Sequence, residues 1–170
     1  MKPNGHLLLV ALVAWGCQGN INETDSKETY SHDIGDIPFD RTVDDPSFKL
    51  CDSTKIVTRR KALAYKGDRS KIVSACLKRF TFKPEFESFN GYVTIRFIVN
   101  CQNQAGRFRA ESLDWNFSHK ACPESLKKHV IEIIQNLEGW SHAYSQDTHL
   151  DLVKFINFKI VNGRIENVLQ

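Results

Sequence analysis

The chain has 170 residues, a formal net charge of +3, five cysteines and 41% hydrophobic residues. That is enough for one domain with a proper core. Only five prolines occur and no Pro-rich run, which excludes a long stiff spacer. No Gly-rich phosphate loop, Ser elbow, paired-carboxylate pattern or Cys-x-x-Cys is present, so neither the motif-bearing catalytic classes nor a zinc site has support.

In chain order, the first element is a signal peptide over residues 1–16. Leu7 to Trp15 is an apolar run of nine, far short of the ~20 residues that span a bilayer. Ala14 and Gly16 satisfy the small-residue rule for cleavage. Cys17, directly after Gly16, resembles a lipobox cysteine and is the expected lipid attachment point. Acylating Cys17 leaves Cys51, Cys76, Cys101 and Cys122, an even set that suits an oxidising compartment and allows three pairings.

Residues 17–50 carry eight acids against three bases from Gln18 onward, lack periodicity and contain Pro38 and Pro46. They read as an acidic flexible tether. From Cys51 on there are nineteen bases and twelve acids. The densest groups are Arg59-Arg60-Lys61, Lys78-Arg79 and Lys127-Lys128. They are not interleaved with aromatic platforms, so a solvated basic face is expected and no nucleic-acid partner.

The globular domain is expected over 51–170. A short helix places Ile72, Val73, Cys76, Leu77 and Phe80 on one side. Val93, Ile95, Phe97 and Val99 share one face of a strand, with Thr94, Arg96 and Asn100 opposite. The polar run 101–106 suits a hairpin loop. Arg107 to Trp115 alternates again, Phe108 and Ala110 first and then Leu113 and Trp115; the slip in phase predicts a bulge at Ser112. Leu126, Val130, Ile133, Ile134 and Leu137 mark a helix face, with Pro123 in its first turn and Gly139 as its stop. Ile156, Phe158 and Ile160 form the last long alternation. Two helices on a small antiparallel sheet make an α+β fold.

Two candidate chemistries are weak. His119 and Cys122 precede a helix, where a thiolate is activated, but an exported cysteine with three companions is expected to be oxidised. His142 and His149 flank Asp147 without metal-ligand spacing. No catalytic residue, metal or cofactor is therefore expected.

The runs Gly-Tyr-Val-Thr-Ile-Arg-Phe-Ile-Val-Asn-Cys (91–101), Gly106, Leu126 in a helix ending at Leu-Glu-Gly-Trp (137–140), and Phe-Lys-Ile-Val-Asn-Gly (158–163) resemble the C-terminal domain of TonB, and more closely the TonB-C-like domains of Bacteroidetes lipoproteins. The resemblance covers roughly Tyr65 to Leu169. It departs at Tyr65-Lys66-Gly67, where the family has Tyr-Pro, and at 118–122. It implies a non-catalytic cell-envelope lipoprotein that binds a protein or an extended peptide, in the periplasm or at the outer membrane. The alternatives are an energy-transducing partner of outer-membrane transporters and a secreted inhibitory or structural module. It also implies a disulfide between Cys51 and Cys101. Cys76 would then pair with Cys122, or remain a buried small hydrophobe.

In such domains the partner adds as a strand at a sheet edge. The expected edge here is the last long strand, with Val153, Phe155 and Asn157 facing the partner, together with the helix after Cys122. Asn162-Gly163 is nevertheless a strong hairpin signal, and 164–169 can fold back over that edge.

Overall fold

The computed structural model describes residues 37–54, 56–57, 64–66, 68–141 and 150–169. Cys17, the signal segment, residues 17–36, the 59–61 basic group and His142, Asp147 and His149 lie outside them.

The described elements are β1 (Ile56–Val57), β2 (Ala64–Tyr65), α1 (Asp68–Arg79), β3 (Gly91–Val99), β4 (Ala105–Leu113), α2 (Glu124–Gln135), β5 (Trp140–Ser141), β6 (Asp151–Val161) and β7 (Arg164–Leu169). The main sheet runs β1-β6-β3-β4, with β7 also paired to β6; β2 and β5 form a separate two-stranded pair. All main pairings are antiparallel except β1 with β6. The fold is α+β, helices on a small sheet, as the alternations predict.

The core lies between one sheet face and the helices. Val93, Ile95, Phe97 and Val99 of β3 meet Leu152, Ile156, Phe158 and Ile160 of β6, covered by Leu126, Val130, Ile133 and Ile134 of α2 and Ile72 and Cys76 of α1. Phe97 stacks on Phe108 at 5.4 Å and tilts against Trp140 at 5.1 Å. A helix with its apolar residues on one stripe has nowhere to bury them except against such a face. α2 ends at Gln135 with Asn136 as its cap, four residues before Gly139. The side-chain amide of Asn136 donates to the Glu132 carbonyl at 2.8 Å, so the orphan carbonyls are met locally.

Four expectations meet a different arrangement. First, the bulge is not at Ser112. It lies between Arg96 and Ile98 of β3, where β4 places Arg107 and Phe108 against one residue, and Arg107 takes φ 55°. Ser112 stays in step with Val93 and is buried; Leu113 and Trp115 belong to the opposite face.

Second, β6 is not an edge. β3 pairs along one side of it; on the other, β1 pairs with 151–152 and β7 with 157–161, so among the described residues only 153–156 keep an open edge. Asn162 and Gly163, at φ 48° and 69°, turn the chain back as a hairpin favours. Val153 is buried beside Ile37 and Ile98, Phe155 is half-buried, and Asn157 accepts a 2.6 Å hydrogen bond from the Thr94 hydroxyl.

Third, residues 37–50 do not behave as a tether. They form an arm packed on the helix-free sheet face, because the segment carries Ile37, Phe48 and Leu50 for a second apolar cluster and Asp44 for an arginine on β4.

Fourth, one disulfide joins Cys51 to Cys101, but Cys76 and Cys122 are separate buried thiols. Burial pushes them up to about 12 and about 11, which suppresses the thiolate that disulfide exchange needs.

Candidate functional site

The helix-free face of the sheet is built in cross-strand rows. From the arm downward, Ile98 pairs with Val153, Arg96 lies between Arg109 and Phe155, Thr94 between Glu111 and Asn157, and Tyr92 between Leu113 and Lys159. Side chains alternate across the pleat, so these residues share one surface.

The arm covers the upper part. Arg109 holds Asp44 through two contacts of 2.7 Å and donates to the Pro38 carbonyl at 2.7 Å, while Arg107 donates to the Ile37 carbonyl at 2.9 Å. The Asp44 side chain is 2% exposed. The Arg109 guanidinium holds its carboxyl below the usual range, as a bidentate arginine does. Phe48 lies flat on β4 at Gly106, where a Cβ would approach the ring to 2.4 Å; only glycine admits that contact. The end of the arm is fixed by the disulfide, by Asn100 donating to the Lys49 carbonyl at 2.9 Å, and by the Asp151 carboxylate accepting from the backbone N–H of Cys51 and Asp52.

Among the described residues none covers the lower part. Tyr92, Thr94, Leu113, Phe117, Asn157 and Leu169 line a cavity of about 230 Å³. Tyr92 stacks on Phe117 at 5.3 Å and meets Trp115 edge-on at 5.2 Å. Trp115 is 43% and Phe117 70% exposed. The loop that presents them is held from within. Asp114 accepts from the N–H of Asn116 and Ser118 at 2.8 and 3.0 Å, the Ser112 hydroxyl donates to the Lys120 carbonyl at 2.6 Å, and the Lys120 N–H donates to the Ser112 carbonyl at 3.0 Å. Phe117 takes φ 62°, a conformation that costs an L-residue about 1–2 kcal/mol. The Phe117 ring packs on Tyr92 alone among the described aromatic residues, and the residue stays 70% exposed.

Of the expected partner-facing residues, the structure brings only Asn157 to this cavity. Val153 lies beneath the arm, and Phe155 sits in the row with Arg96. Sequence reasoning missed Tyr92, Leu113, Trp115, Phe117 and Leu169. The apparent slip after Ala110 was their signal: apolar residues had changed face rather than register.

The His119 imidazole is 3.4 Å from Glu111, and the Cys122 thiol turns to the Pro123 carbonyl at 3.6 Å. Among the described residues, no three His, Cys, Asp or Glu side chains gather as metal ligands would. The site's chemistry is apolar contact, ring faces and hydrogen bonding, which suits recognition. Comparison with protein-family models, curated proteins and solved structures returns no match.

Proposed function

We propose that this protein is a non-catalytic binding module of the cell envelope, held to a membrane by lipid on Cys17, which docks a protein or an extended peptide on the bare half of its helix-free sheet face. One observation carries the docking: an exposed, strained aromatic shelf (Tyr92, Trp115, Phe117) rims an apolar cavity of about 230 Å³. Exposed apolar groups gathered in one place and rimmed by polar residues mark interaction surfaces, and aromatic anchors dominate their energetics. The envelope setting rests on the short apolar leader, on Gly16-Cys17 and on the resemblance to TonB C-terminal domains. Among the described residues no helix is long and apolar enough to cross a membrane.

Replacing Phe117 with a photoreactive phenylalanine analogue in cells tests the docking, with the same group at exposed Lys78 on α1 as control. A discrete adduct at position 117 and none at 78 is expected. Identical adduct patterns at both positions would remove this surface as the docking face. The anchor is tested separately: Cys17→Ser should move the protein from the membrane to the soluble fraction.

A further inference from the structure

The arginine row that separates the two halves of the face is electrostatically unfinished. Arg96 and Arg109 are direct cross-strand partners, and like charges opposite one another disfavour pairing. Asp44 compensates Arg109. Arg96 has no hydrogen-bond or ion-pair partner among the described residues. It lines a hollow of about 510 Å³ with Glu111 and His119, which face each other. Lys159 is paired with Glu166 at 2.5 Å. Arg96 lies two residues along β3 from Thr94 at the cavity, about 7 Å away.

The covered half shows what such a surface takes. There an extended segment of the chain supplies an aliphatic side chain to the sheet (Ile37), an aromatic ring (Phe48) and a carboxylate to an arginine (Asp44). The bare half offers an apolar cavity, a ring shelf and an arginine.

Resting on the docking function above, we propose that the occupant of the bare half is an extended acidic peptide segment. Its aliphatic or aromatic side chain fills the cavity between Tyr92, Leu113, Phe117 and Leu169, and an Asp or Glu within about three residues of it binds Arg96. The carboxylate supplies the charge that the Arg96–Arg109 pair lacks, as Asp44 does on the other side of the row.

The test is selection of a random dodecapeptide library, displayed on phage, against the full chain, followed by affinities of the selected peptides labelled with fluorescein. Selected sequences should place Asp or Glu one to three positions from Leu, Phe, Tyr or Trp. Changing that acid to its amide should weaken binding at least tenfold to the wild-type protein, a readout that needs no protein variant. Arg96→Gln should produce a similar loss, Arg96→Glu a larger one, and Arg96→Glu should bind a peptide with Lys in place of the acid better than wild type does. Phe117→Gly should abolish binding of all of them.

Peptides that bind through the cavity but show no acid enrichment, or that tolerate the amide change within twofold, overturn the acidic partner and leave the docking function standing. Peptides indifferent to Phe117→Gly, or a library that yields none above background, overturn both.

Discussion

The two ends of the helix-free face are built from the same three strands and finished in opposite ways. Above the Arg109–Arg96 row, Ile98 and Val153 are buried by the chain's own arm, Arg107 and Arg109 donate to arm carbonyls and to Asp44, and a disulfide clamps the far end. Below it, Tyr92, Leu113 and Leu169 surround open space, and two large aromatic residues stand in solvent. One surface is completed by the arm; the other is not covered by any described segment. The difference is not one of composition, since both halves mix apolar, aromatic and basic residues. It lies in whether a second segment of the same chain reaches them.

That contrast orders the consequences of mutation. The largest stability effect belongs to the covered half. Breaking the disulfide with Cys51→Ser should cost about 4 kcal/mol in the chain-entropy account, because the bridge closes a span of 50 residues; denaturant unfolding with and without reductant measures it. If reduced and oxidised protein unfold at the same denaturant concentration, the clamp contributes nothing and the arm holds by packing alone.

Next comes Arg109→Ala, which strands a buried carboxylate and should cost about 2–3 kcal/mol by the same measurement. The Asp44–Arg109 pair also predicts a pH dependence. The folded carboxyl titrates below its ordinary value, so its contribution is full above about pH 4 and is lost as pH falls through the depressed folded value. The stability gap between wild type and Asp44→Asn should therefore be constant at neutral pH and close on acidification below about pH 4. A gap that widens in acid contradicts this sign.

The smallest stability effect belongs to the bare half. Trp115→Ala should change stability by no more than about 0.5 kcal/mol, as exposed positions do. Phe117→Gly removes a side chain at positive φ and should leave the melting temperature unchanged or raise it slightly, while peptide binding disappears. A clear loss of stability in both variants would make the shelf a packing feature and erase the contrast.

Much of the fold was legible because local physics dictates it. The alternation of Val93, Ile95, Phe97 and Val99, the stripe from Leu126 to Leu137 and the Asn162-Gly163 turn each specify a local geometry in only one way. The functional surface was harder to read, because Leu113 and Trp115 mean opposite things depending on whether the strand slips or the face changes. Only the pairing of Ser112 with Val93 decides that. The arm's polar, acidic composition reads as a tether and hides three apolar residues, Ile37, Phe48 and Leu50, whose sites lie on strands far along the chain.

By itself the sequence determined the two helices and the long strands, the core face of β3 and of α2, and the hairpin that pairs β7 with 157–161 of β6. The tertiary structure alone decided that Asp44 meets Arg109 and that Phe48 lies on Gly106. It also decided that Cys76 and Cys122 stay apart and that Arg96 has no ion-pair partner among the described residues. Short-range preferences are set by neighbours three or four residues away. Which surface is covered and which stays bare depends on contacts between distant segments, and those exist only once the chain has closed on itself.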